Sequence, residues 1–142
     1  MTRISLDQAN HVISAAFAKG KELGLKPLSV AVLDAGAHLI AFQRQDGSSN
    51  LRLQIATGKA AGALGMGMSS RKIGDVAAER PSFVASLGSI APNGLVPAAG
   101  GVIVVGTGGA AIGAVGVTGD TSDNDELCAL AGIAAAGLSA QA

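Results

Sequence analysis

Aromatic side chains are almost missing from this chain. Among 142 residues there is no Trp and no Tyr, and only Phe17, Phe42 and Phe83 carry a phenyl ring. Platforms for stacking bases are therefore lacking. No basic surplus takes their place, because ten Lys and Arg balance ten Asp and Glu at a formal net charge of zero. Phosphate neutralisation supplies most of a nucleic-acid binder's affinity, so no nucleic-acid partner is expected. Cysteine is scarce too: Cys128 stands alone, which excludes an intrachain disulfide framework and any multi-Cys zinc site. Long hydrophobic runs are also missing. The apolar stretch around residues 98–119 is broken repeatedly by Gly and Thr, short of the ~20 apolar residues of a membrane span. The segment from Met1 to Gln8 has no apolar h-region. The expectation is a cytoplasmic protein without a secretory signal or membrane partner.

Charge itself is sparse, at 14% of residues against roughly 25% in an average soluble domain. Hydrophobic residues make up 49%, so the chain is not of the disordered class, and its length suits one domain with a single core. A surface short of charge and rich in Ala and Gly is expected to be buried in part against other copies of itself.

The pattern along the chain reads as α–ββ–α–(irregular)–ββ–α. Residues 5–24 form a first helix, with Ser5 as N-cap and Gln8 completing a capping box. Leu6, Ala9, Ile13, Ala16 and Phe17 share its apolar face. Residues 28–34 and 38–43 read as strands joined by a hairpin turn in which Gly36 takes positive φ. Neither face of the first strand is polar, so helices should cover one or both. Residues 49–65 form a second helix, where Gly58 and Gly62, four apart, predict close approach of another backbone. Residues 69–80 form a short helix ending before Pro81, and residues 82–99 are irregular. Strands follow at 101–106 and 111–118, where Gly113 and Gly116 again suggest a close approach. The last helix spans 123–138, with Asp123, Asp125 and Glu126 in its first turn, where the macrodipole favours acids. This order specifies an α+β domain with an antiparallel sheet over residues 1–142.

Four stretches together carry a resemblance: Val30 to Leu39, Phe42 to Gly47, Ala56 to Ala60, and Ile112 to Gly119 followed by Asp125 and Glu126. In this order they resemble the GlcG/HbpS-like family, the haem-degrading domain family, over roughly residues 5–138. The same domain forms the C-terminal part of some corrinoid adenosyltransferases. The resemblance implies a profilin-like fold with a five-stranded antiparallel sheet packed by helices, the fifth strand being sought in residues 95–99. It also implies a homo-oligomer, tetramer or octamer. Family members are associated with haem binding, haem degradation, cobalamin binding and small-molecule catabolism in bacteria.

The candidate site residues are few. Haem iron is held by His, Cys, Met or Tyr, and Tyr is absent. Haem-binding members of the family are described with an axial ligand from the N-terminal region. This makes His11 the candidate haem and metal ligand, against the plainer reading of a surface helix histidine. His38 closes the hairpin turn. Met66 and Met68 read as core fillers, and Cys128 as a buried small hydrophobe. Arg44 and Lys59 are candidates to hold haem propionates or a small organic acid. The alternative is an ion pair of Asp46 with Lys59 or Arg44. Asp120, Asp123, Asp125 and Glu126 read as caps, or as oxygen ligands for a hard metal, though not at EF-hand spacing. The glycine-rich segments contain no nucleotide fingerprint.

Three functions follow. The first is a haem or tetrapyrrole-binding protein that assists haem degradation. The second is an enzyme acting on an organic acid at an intersubunit cleft, with Asp46, Lys59 and Glu126 moving the proton. The third is a non-catalytic oligomeric accessory protein.

Overall fold

The computed structural model describes residues 2–142. The chain opens with α1 (Leu6–Leu23) and the hairpin β1 (Ser29–Asp34) and β2 (Leu39–Arg44). Three helices follow: α2 (Arg52–Met66), α3 (Ser70–Glu79) and α4 (Pro81–Leu87). The chain closes with β3 (Gly101–Val105), β4 (Ala111–Thr118), α5 (Ser122–Ala135) and the short β5 (Ser139–Ala140). The five strands form one sheet in the order β2-β1-β4-β3-β5, antiparallel throughout. The fold is α+β, as the pattern of elements requires. No helix among the described residues is long and apolar enough to cross a membrane.

The sheet carries helices on both faces. On one, Val32, Val115 and Val102 lie in register across β1, β4 and β3, with the Val30–Val117 pair and Val104 beside them on the same face. They are buried with Ala9, Val12, Ile13 and Ala16 of α1 and Cys128, Ala129 and Ile133 of α5. β-Branched valines suit this surface because the pleat accepts their branched Cβ. The other face is built for closeness. Ala31, Gly116 and Gly101 stand side by side on β1, β4 and β3. A Cβ at Gly116 would collide with the carbonyl oxygen of Ala56, and one at Gly101 with that of Lys59. The backbone of α2 thus rests directly on the sheet along this glycine row.

The outer side of α2 is covered too. A Cβ at Gly58 would meet the Val96 side chain at 2.8 Å, and one at Gly62 the Leu95 Cα at 3.1 Å. The Val96 N–H donates to the Gly58 carbonyl (3.3 Å). The spacing of Gly58 and Gly62 therefore does mark a close backbone approach, by the segment after α4. Ser70 at the start of α3 accepts from the Gly101 N–H (2.7 Å), which ties α3 to β3.

The capping box of α1 forms as expected: the Gln8 N–H donates to Ser5 Oγ (3.1 Å) and the Ser5 N–H to Gln8 Oε1 (2.9 Å). Three expectations need correction. Residues 82–99 are not irregular throughout, since α4 begins at Pro81, whose fixed φ and missing N–H suit the first helical position. The fifth strand is not in residues 95–99 but at Ser139–Ala140 on the open edge of β3. Residues 95–99 contain Pro97, and this segment lies across α2 instead. In the hairpin turn the residue with positive φ is Ala37 (φ 65°), not Gly36. The Ala37 N–H closes a turn onto the Asp34 carbonyl (3.0 Å), and Ala37 then takes the left-handed position that follows such a turn in a longer hairpin loop.

Candidate functional site

The two imidazoles both lie at the surface. His11 is exposed on α1. At helical spacing it is followed on its own face by the small Ser14, Ala15 and Ala18 and preceded by Asp7 and Gln8. His38 is exposed at the hairpin turn, where its Nδ1 lies 3.1 Å from Asp34 Oδ1. Asp34 Oδ1 also accepts from the N–H groups of Gly36 (2.9 Å) and His38 (2.9 Å). The His38 backbone N–H foremost holds the Asp34 carboxyl below its ordinary pKa of 3.8. The same contacts fix the His38 ring and leave its Nε2 to the solvent side.

The other iron-ligand types are less available. Cys128 is fully buried on α5. Burial first, and then the nearby Asp125 charge, push its thiol up to about 11, so no thiolate is present at neutral pH. Met66, at the end of α2, lines a cleft described below.

Lys59 is 3% exposed and Asp125 1% exposed. Lys59 Nζ donates to Asp125 Oδ2 (3.2 Å) and to the Val117 carbonyl (3.0 Å). Asp125 Oδ1 accepts from the Asp120 N–H (2.9 Å). Burial lowers the Lys59 pKa from 10.5, and the Asp125 carboxylate opposes that shift. The pair joins α2 on one face of the sheet to α5 on the other. Lys59 passes Gly100, where a Cβ would sit 2.9 Å from Nζ. Its partner is thus Asp125, and not Asp46 or Arg44.

Glu126 has a different role. It accepts from Arg71 Nε (3.1 Å), and Asp123 accepts from Arg71 Nη2. The two carboxylates raise the Arg71 pKa and tie α3 to α5. Asp120 accepts from Asn124 Nδ2 (2.8 Å) and the Lys26 N–H (3.1 Å), and these with the Thr121 N–H lower its pKa to about 2. The acids at the start of α5 therefore serve as caps and ion-pair partners. Among the described residues no group of three or more His, Cys, Asp or Glu is disposed to hold a metal ion. Arg44 and Asp46 are exposed at the end of β2 and in the loop beyond. Asp46, Lys59 and Glu126 share no contact with one another.

A small concavity of about 200 Å³ is lined in part by Glu126, Lys72 and Leu130, but a larger apolar one lies elsewhere. A cleft of about 410 Å³ is walled by the end of α2, by the hairpin turn at residues 35–37, and by the segment 87–95. A shallower lobe of about 480 Å³ shares Asn93 and Gly94 with it and is otherwise bounded by Leu39, Leu53, Gln54 and Thr57. Asn93 Nδ2 donates to the Ala37 carbonyl (3.2 Å) and so fastens the covering segment to the turn. Thr57 Oγ1 is shut off from solvent and has no hydrogen-bond partner. None of His11, Arg44, Asp46, Lys59 or Glu126 lines either lobe. Sequence reading overlooked this cleft, because its walls are Ala, Gly and Leu from three separate segments. The orphaned Thr57 hydroxyl is invisible without coordinates.

Similar folds are known. The PduOC structure, solved as a complex with haem, aligns over 99% of both chains with a TM-score of 0.85 at 22% identity. The ORFY protein of Klebsiella pneumoniae aligns over 96% of this chain and 92% of its own with a TM-score of 0.84 at 24% identity. At these identities the likeness is one of fold. HbpS aligns over 94% of this chain and 90% of its own with a TM-score of 0.80 at 28% identity. No curated relative matches the sequence. The model of the HbpS-like haem degrading proteins matches residues 4–134, nearly the whole fold from the entry to α1 to the end of α5, and the chain belongs to this family.

Proposed function

We propose that this protein binds haem, with His11 as the iron ligand. The observation that carries the reading is the family match over residues 4–134; the haem complex of the similarly folded PduOC is consistent with it. The donor chemistry fits: an exposed imidazole is available on α1, whereas the Cys128 thiol is buried and protonated. On the C-terminal side of His11 the small side chains of Ser14, Ala15 and Ala18 leave room for a flat ring, and Asp7 and Gln8 bound it on the other side. Haem, when bound, supplies redox-active iron. The chain's own residues hold and orient it. Lys59 is already engaged with Asp125, and Arg44, opposite Ser29 on the face of the sheet that α2 covers, lies across the sheet from α1, so a propionate contact from it would come from a second copy.

One helix face cannot cover a macrocycle on both sides. We therefore infer that a second copy of the chain completes the site in a homo-oligomer, and that assistance to haem degradation consists in this holding. The exposed Leu6 and Leu51, at 58% and 66%, are surfaces such an assembly would cover.

Titration of the purified protein with haemin, followed by absorbance, tests the reading. The expected result is a saturable Soret shift that weakens by about tenfold or more in His11→Ala and stays unchanged in His38→Ala. No saturable shift in the wild type overturns haem binding. Loss in His38→Ala with retention in His11→Ala transfers the ligand role to His38.

A further inference from the structure

We propose that the two-lobed cleft between α2, the β1–β2 turn and the segment 87–95 is a separate binding site for an uncharged, largely apolar small molecule bearing one hydrogen-bonding group. Its size is right: the deeper lobe, at about 410 Å³, falls within the roughly 300–1,000 Å³ of small-molecule sites.

Its chemistry is selective. The walls of both lobes contain no charged side chain. A carboxylate or ammonium placed there would lose its hydration without a partner, which disfavours organic acids and the propionates of haem. Ala61, Leu64, Met66 and Leu95 offer apolar contact to the body of a ligand. The polar side chains are Asn93, which both lobes share, and Gln54 and Thr57 of the shallower lobe. Asn93 spends its amide N–H on Ala37 and keeps its carbonyl oxygen as an acceptor. Thr57 Oγ1 is buried without a partner. A helical threonine has two accessible χ1 wells, so a ligand carbonyl or hydroxyl in the open lobe gives this hydroxyl the partner it lacks.

A second observation comes from Gly65. A Cβ at Gly58 would crowd the Val96 side chain and one at Gly62 would crowd Leu95, but a Cβ at Gly65 would meet nothing within 4 Å. Gly65 lies inside α2, where glycine weakens a helix relative to alanine, and it lines the deeper lobe. Packing does not demand a glycine there, and the space it leaves open is the cleft.

The probe is the neutral naphthyl ketone prodan, whose emission shifts to the blue in an apolar site. The expected result is saturable binding to the wild-type chain. Gly65→Leu fills the cleft and weakens binding by about tenfold or more, with circular dichroism and melting temperature preserved. Thr57→Val weakens it by about threefold to tenfold. Gly65→Ala is the milder control should the Leu variant misfold, and it gives an intermediate loss. His11→Ala leaves prodan binding unchanged. The proposal is overturned by absence of saturable binding, or by binding that neither Gly65 variant weakens. It is overturned equally if haemin displaces prodan stoichiometrically, which puts the tetrapyrrole in the cleft. A change of oligomeric mass in Gly65→Leu without loss of probe binding marks the cleft as a contact between copies and also overturns it.

Discussion

Lys59 shows how much a single residue type can promise and how its neighbours decide. A lysine among alanines and glycines reads from sequence as a cation facing a cleft or an interface. In the fold it is buried against Asp125, with Nζ 3.2 Å from Oδ2, and pins two helices together across the end of the sheet. Removing one partner strands a buried charge. Lys59→Met is therefore expected to lower the unfolding free energy by roughly 3–5 kcal/mol, whereas Lys59→Met combined with Asp125→Leu recovers most of it. Urea denaturation of the two variants checks this. The pH dependence carries the same signature. Because the folded pKa of Lys59 lies below its ordinary 10.5, the unfolded chain binds that proton more tightly. Stability then rises with pH between the lowered value and 10.5, and this rise is lost in the double variant. A stability loss shared equally by single and double variants would contradict the pin.

At the scale of elements, α2 matters most, because it is the helix that both the sheet and the cleft are built around. Its seat is the row Ala31, Gly116 and Gly101, and its outer side is closed by Leu95 and Val96. Two glycine-to-alanine changes at this helix should therefore have opposite signs. Gly116→Ala drives a methyl into the Ala56 carbonyl and lifts the helix, at a cost of about 2 kcal/mol or more. Gly65→Ala meets nothing and should stabilise by about 1 kcal/mol through helix propensity. Thermal melts of both variants decide it, and a destabilised Gly65→Ala would mean that the glycine serves packing after all. The elements themselves were largely legible. The Ser5–Gln8 box, the valine-rich strands and the Gly58–Gly62 pair each carry a local physical signal that survives in the fold. β5 was not legible, since two residues at Ser139–Ala140 have no periodicity of their own and become a strand only because the edge of β3 is open. Ala37 in the left-handed region was missed for a related reason. The adjacent Gly36 is the easier residue to place there, but the hydrogen bonds from Ala37 and His38 to Asp34 set which position turns.

For the molecule as a whole, the low charge and the exposed Leu6 and Leu51 predict self-association. Sedimentation should give a mass that is a multiple of 13.8 kDa; a monomer at micromolar concentration would remove the second copy from the proposed haem site. The sequence by itself determined the class of fold, the family and, with a single cysteine, the absence of an intrachain disulfide framework. These depend on composition, on the helical and strand periods, and on short motifs, all of which are local or additive along the chain. The tertiary structure alone decided which groups meet. It gave Lys59 to Asp125 and Glu126 to Arg71, left His11 and Arg44 in solvent, and enclosed a neutral cleft beside an unpartnered Thr57 hydroxyl. Those pairings join residues far apart in the chain, and they depend on how closely α2 can approach a sheet stripped of side chains beneath it, which no local pattern encodes.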